Sequence, residues 1–293
     1  MLKEAKNRVH IEGILAEKEV KIKDDSISLN LVVKIKEGYE VPISMYSKKL
    51  KKDGTENGIY KSIETVANEY ISLADAKEGI EADKVRITNG QLSHNIFKTQ
   101  DGRLIKDMTI RTNFINRVKE TDKIPYQPKA EFTIQGIVHS IKDVINEDGD
   151  TTEKKVELLV PVYGGKLHFM TFSMSIQEGM TYLEDNAFKG TYIELDGIVN
   201  FKKERVEKVI KRSFGADKIE ITFTNVKKLD INAADIMNED FWDEEEVKQA
   251  TKELQNYIRQ VEEEEKETKN TVENGFGTKG NTTTQKTMAE IPF

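Results

Sequence analysis

The feature that most constrains this chain is that most of it reads as one unit written twice. "RVHIEGIL" opens the first copy and "EFTIQGIV" the second, so that Val9, Ile11 and Gly13 align with Phe132, Ile134 and Gly136. Each opening is followed by period-two alternation, over Ile27, Leu29, Leu31, Val33 and Ile35, then over Val156, Leu158, Val160 and Val162. Such alternation marks a strand with one buried face. A third strand follows, "EVPISMYSKKL" in one copy and "KLHFMTFSMSI" in the other, with Tyr46 aligned to Phe172 and Ser47 to Ser173. Parity turns Ile43 and Met45 inward and Tyr46 outward, and in the second copy turns Phe169 and Thr171 inward and Phe172 outward.

Both copies then change period. Ile59, Ile63, Val66, Tyr70 and Ile71 fall at helical spacing, as do Ile176, Met180 and Leu183. Ser175 and Glu178 predict a capping box at the second helix start. Two further strands close each copy, "DKVRITNGQLSHNIF" with "KDMTIRTNFINRV", and "TYIELDGIVNF" with "DKIEITFTNVKKL". Three strands, a helix and two strands in ~110 residues predict an OB-fold, a Greek-key barrel with its helix between strands three and four. The expected fold is therefore mainly β: two tandem OB-fold-like five-stranded barrels, over 1–124 and 129–232. "KIPYQPKA" joins them as a short stiff linker. A single ten-strand sandwich is the alternative arrangement of the same strands.

After Ile231 the character changes. "NEDFWDEEEVKQATKELQNYIRQVEEEEKE" predicts one acidic helix over 233–267, with Val247, Ala250, Leu254, Ile258 and Val261 on one stripe. It either packs on the second barrel or serves as a docking helix. Residues 268–293 have the composition of a flexible tail. Charge follows the same division. Lys plus Arg against Asp plus Glu is 23 to 20 over 1–124, 15 to 17 over 125–232 and 7 to 15 over 233–293, nets of +3, −2 and −8. An acidic tail behind a near-neutral body can compete with a polyanion or attract a basic partner.

Several functions are disfavoured by the residues present. The chain has no cysteine, hence no disulfide frame and no thiolate ligand or nucleophile. His10, His94, His139 and His168 lack metal-ligand spacing. "GFGTKG" at 275–280 lacks the strand and helix of a phosphate-binding loop. "NEDGD" at 146–150 fits a hairpin turn better than a calcium loop. The expectation is a non-enzymatic protein without cofactor or metal. No run reaches the ~18 apolar residues of a membrane helix, and no signal-peptide core is evident, so a cytoplasmic location without membrane contact is expected.

The binding signature is stronger. A barrel that holds single-stranded nucleic acid needs cations along the backbone and aromatic faces for bases. Candidates in the first copy are Lys34, Lys36, Tyr46, Lys48, Lys49, Lys51 and Lys52, with Phe97, Lys98, Arg103 and Lys106 in the closing hairpin. In the second they are Phe172 and the hairpin "NFKKERVEKVIKRSF", which holds Phe201, Lys202, Lys203, Arg205, Lys208, Lys211, Arg212 and Phe214. Cations and aromatics are interleaved in the hairpins of both copies, and no pattern suggests reading of base edges.

The chain ends "AEIPF". This tip resembles the C-terminus of bacterial single-stranded DNA-binding proteins, which end in acids followed by Ile-Pro-Phe on a flexible linker. With the barrels, the whole is most similar to a bacteriophage single-stranded DNA-binding protein. The resemblance implies single-stranded DNA as ligand, in replication, recombination or repair. It also implies replication or recombination enzymes as partners, with Phe293 and Pro292 entering an apolar pocket and Ile291 and Glu290 in support. The chain departs from the bacterial proteins in holding two barrels and in having only Glu290 beside the tip. The reading from another class is an adaptor whose barrels bind protein; in viral use the location is the host cytoplasm.

Overall fold

The computed structural model describes residues 2–98, 104–212, 214 and 218–273. Its first barrel is formed by β1 (Asn7–Lys23), β2 (Ser26–Lys36), β3 (Tyr39–Lys48), β4 (Lys84–Lys98) and β5 (Leu104–Arg111), with helix α1 (Gly58–Glu69) between β3 and β4. A short strand, β6 (Asn116–Arg117), lies against β4. The second barrel has β7 (Lys129–Ile145), β8 (Thr151–Val162), β9 (Lys166–Met174), α2 (Gln177–Asn186), β10 (Tyr192–Ile210) and β11 (Lys218–Ile236). The order of strands, helix and strands agrees in both copies with the sequence expectation.

Closure is the same in each barrel. Strands run β1-β2-β3-β5-β4 and return to β1, with β3 parallel to β5 and the remaining pairs antiparallel. The second runs β7-β8-β9-β11-β10 and returns to β7, with β9 parallel to β11. The alternation read from sequence fills the interiors: Ile27, Leu29, Leu31, Val33, Ile43 and Met45 are buried in the first, Val156, Leu158, Val160 and Met170 in the second.

The paired glycines of the repeat have a steric reason. A Cβ on Gly13 would lie 2.5 Å from the Lys34 carbonyl oxygen, and one on Gly136 would lie 3.1 Å from Leu158 Cβ. Each lies where the first strand runs closely against the second, and a bulge follows in both ladders, between Leu15 and Glu17 and between Val138 and Ser140.

One pairing is beyond what the repeat alone predicts. β1 and β7 form an antiparallel ladder from Asn7↔Ile134 to Glu12↔Lys129, so the barrels share one continuous sheet. The equivalent residues Val9 and Phe132 are direct partners in that ladder. Equivalent residues can face each other in an antiparallel pair only at a two-fold, so the duplication is arranged about this point. The linker is pinned beside it. Arg86 holds buried Glu12 through Nε at 2.9 Å and Nη2 at 2.8 Å and donates to the carbonyls of Ile124 and Pro125, while the Gln127 amide donates to Glu12.

Two local expectations are corrected. Helix α2 begins after Ile176 with no side-chain cap, so Ser175 and Glu178 form no capping box; packing of Met180 and Leu183 holds the helix instead. The acidic helix α3 (Glu244–Glu273) starts later than its composition suggests. Asp243 accepts from the Glu246 amide and caps it, which leaves Phe241 and Trp242 in the preceding turn. Trp242 is buried, with its Nε1 donating to the Lys3 carbonyl at 2.7 Å and its ring edge-on to Tyr192. Val247, Ala250 and Leu254 pack α3 against the body. Among the described residues no helix is long and apolar enough to cross a membrane.

Candidate nucleic-acid interface

The outer face of β1, β2 and β3 is organised in rows two residues apart. Lys23, Ser26 and Lys48 form the outermost row; then come Lys21, Ser28 and Tyr46; then Glu19, Asn30 and Ser44; then Glu17, Val32 and Pro42. Rows in a sheet are ~7 Å apart, and neighbouring strands ~4.8 Å. Tyr46 is 37% exposed, and Lys21, Lys23 and Lys48 are exposed beside it. The β3–α1 loop adds exposed Lys49, Lys51 and Lys52 at the same end, and the Lys49 amide donates to the Asp25 carbonyl in the β1–β2 turn. One part-exposed ring therefore sits among cations from two hairpin arms and a loop.

Lys21 and Lys23 were missed in the sequence because they lie on the first strand, away from the run after Tyr46. Their signal is visible in "VKIKDD", where the lysines alternate with Val20 and Ile22. Lys21 makes a surface ion pair with Glu19 at 3.0 Å, a contact of small energetic weight in water.

Lys34 and Lys36 do not join this patch. They stand at the opposite end of β3, opposite Glu40 and Tyr39, ~25–30 Å from Lys48 along the strand. Lys34 is engaged by Glu37 at 2.6 Å. The ammonium of Lys36 lies 5.7 Å from the Tyr39 ring centre. Tyr39 donates its hydroxyl to the Val199 carbonyl and pairs with Lys202 across the barrels. Burial, with a further push from Asp230, raises its phenol to about 12. This end of barrel one meets the long β10–β11 arm, on which Lys202, Lys208, Lys211 and Arg212 are exposed and Phe214 is 96% exposed. Between the two basic regions lies a groove lined by Glu17, Glu19, Ser44, Asp107 and Thr109, closed on one side by Lys227, which holds Asp107 at 2.6 Å.

The aromatic expectations for barrel two are overturned. Phe172 is fully buried, 5.3 Å from Phe132, while Thr171 is exposed and Phe169 is half-buried against His139. The cause is register. The matching ladders put Val33 at the position of Leu158, and hence Ile43 opposite Leu31 where Phe172 is opposite Val156. Phe172 is therefore the counterpart of core Ile43, and Ser175 that of Tyr46. Phe201 is also core, with Lys227 over its ring at 5.9 Å. Neither ring can receive a base as the chain stands.

The outer face of barrel two is closed by its own charges. Glu153 takes hydrogen bonds from Lys155 and Lys228, and Glu157 pairs with Ser140 and Lys142. Burial alone would raise the Glu153 carboxyl; the hydrogen bonds from Lys155, Lys228 and Ser173 outweigh it and hold it down at about 2. Lys155 also donates to Ser173 at 2.7 Å.

Phe97, Lys98 and Lys106 are placed by backbone on the β4–β5 hairpin, and Lys203 and Arg205 on β10. Arg103, Glu290, Ile291, Pro292 and Phe293 lie outside the described residues. Among those described, no group of three or more His, Asp or Glu could hold a metal ion.

The family model described as YorF matches residues 6–270, which takes in both barrels and most of α3. The chain belongs to the YorF family. No curated protein matches it. Among solved structures, this YorF chain is similar to a deletion mutant of the single-stranded DNA binding protein from Thermus aquaticus. That match has 12% identity over 81% of this chain and 97% of that one, with a TM-score of 0.49. A replication protein A heterotrimer bound to ssDNA matches at 13% identity over 76% of this chain and 49% of that one, with a TM-score of 0.18.

Proposed function

We propose that this YorF protein binds single-stranded DNA without sequence preference, through the distal face of barrel one. The observation that carries this reading is Tyr46 exposed in a row with Lys21 and flanked by Lys23 and Lys48. Stacking on such a ring contributes ~1–3 kcal/mol per base and tolerates any base, because every base has a π-face. The surrounding ammonium groups replace counterions on the phosphates. Lys49, Lys51 and Lys52 extend the track past the end of β3.

The acids Glu17, Glu19 and Asp107 turn the strand away from the middle of the barrel face. The exposed cations of the β10–β11 arm, with Phe214, form a second contact region across the barrel junction. Barrel two serves as scaffold and arm, since its own face is neutralised internally. The protein acts without catalysis, coating the strand during phage replication, recombination or repair. The tip Glu290, Ile291, Pro292 and Phe293 recruits enzymes of those processes; deleting these four residues spares DNA binding and abolishes recruitment.

Electrophoretic mobility shift with oligo-dT and with a duplex of equal length tests the reading. A shift for oligo-dT at low salt that duplex does not match supports it. Absence of binding, or equal binding to duplex, overturns it and favours the adaptor reading.

A further inference from the structure

The outer part of the β10–β11 arm leaves a strand edge open. Over 218–221 the described strand partner of β11 is β10 alone; its contact with β9 comes later, at Asp230. The arm carries exposed apolar side chains there: Ile219 is 57% exposed, Ile221 46% and Val209 58%, with Val209 directly opposite Ile219. An unpaired edge of β-branched residues is a template for another strand, and a two-stranded ribbon is marginal on its own. Ile219 and Ile221 alternate with exposed Lys218, Glu220 and Thr222.

We propose that the β11 edge of the arm is a self-association site whose occupant is the same edge of a second copy of this chain. Charge selects the register. Antiparallel pairing about a two-fold at Ile219 puts Lys218 opposite Glu220 of the partner subunit and Glu220 opposite Lys218 of the partner subunit. Moving the two-fold to Glu220 or to Lys218 sets like charges against each other at the centre. Moving it to Ile221 leaves Glu220 facing Thr222 of the partner subunit, with no ion pair. Cross-strand opposite charges are favourable and like charges are not, so the Ile219 register alone satisfies both positions. Pairing joins two ribbons into a four-stranded sheet and brings two apolar faces side by side.

Sedimentation equilibrium of the full chain without nucleic acid tests this. Wild type is expected to dimerise. Lys218→Glu and Glu220→Lys each set like charges opposite at two symmetric positions and should weaken the dimer at least about tenfold. An equimolar mixture of the two variants restores Glu–Lys pairs at both positions and should dimerise again. Both side chains are exposed, so thermal melts of the variants should match wild type. A monomeric wild type overturns the proposal, as do single variants that dimerise unchanged or a mixture that fails to recover. If Lys218→Glu lowers oligo-dT affinity while molecular mass stays as in wild type, the edge belongs to the nucleic acid and the proposal also fails.

Discussion

Tyr46 stands opposite Ser28 on β2 and is part-exposed, while its neighbours Met45 and Ser47 are buried. Tyr46→Ala should therefore weaken oligo-dT binding by ~1–3 kcal/mol, about 5- to 150-fold, with little change in stability. Phe172→Ala should do the opposite, costing ~3–5 kcal/mol of folding free energy by leaving a cavity, as read by urea denaturation. Parity along "EVPISMYSKKL" was enough to place Tyr46, because the apolar residues Val41, Ile43 and Met45 all fall on one face of that strand. The same rule failed for "KLHFMTFSMSI", where Leu167, Met170, Phe172, Ser173 and Met174 are all buried and both parities carry apolar residues. Only the ladder fixes such a strand. Trp242 shows another limit: its acidic surroundings place it on a helix, but its indole is buried against Lys3 and Tyr192. Its emission should be blue-shifted and report unfolding of the N-terminal contact, not displacement of the tail, and saturating oligo-dT should leave its wavelength unchanged.

At the scale of elements, two contacts set how the barrels respond to mutation and pH. The linker rests on the Glu12–Arg86 pair, both side chains buried or nearly so. Arg86→Met strands the Glu12 carboxylate and the carbonyls of Ile124 and Pro125, and should cost ~3–5 kcal/mol in chemical denaturation. His168, on β9, is largely buried, and its Nδ1 has no hydrogen-bond partner among the described residues. Burial lowers its pKa to about 4, and the nearby charges of His94, Arg111 and Lys166 push the same way. The unfolded chain binds this proton more readily, so the contribution to stability is present above the ordinary value near 6.5 and is lost as pH falls toward 4. Glu153, held at about 2, loses its contribution as pH falls below the ordinary carboxylate value. The melting temperature should drop between pH 7 and pH 4.5, and His168→Gln should flatten that part of the profile. The number and order of these elements were legible from period changes. The β1–β7 ladder was not, because the alternation of Val9 and Ile11 with Arg8, His10 and Glu12 gives the buried face of the strand but not which second edge it will meet.

For the whole molecule, the duplication extends to strand geometry and not to surface chemistry. The two barrels share closure, bulges and glycines, yet the strand face that presents Tyr46 among cations in barrel one is, at the matching place in barrel two, tied up with Glu153 and Glu157. Lysine runs in the sequence showed that cations were present but not that Lys34 and Lys48 lie at opposite ends of the β2–β3 ladder, nor that Lys21 and Lys23 complete the rows of Tyr46 and Lys48. Ladder register carries that information, and a single sequence leaves register open wherever strands are long. The central claim is that phosphates are held at the distal face of barrel one. It is tested most directly by titrating oligo-dT over a range of salt concentrations with wild type and with the triple variant Lys21→Ala, Lys23→Ala and Lys48→Ala. Each lost phosphate contact removes about 0.7 from the slope of log K against log salt for a single strand, so the slope should fall by about 2 and affinity with it. An unchanged slope in the triple variant would contradict the account.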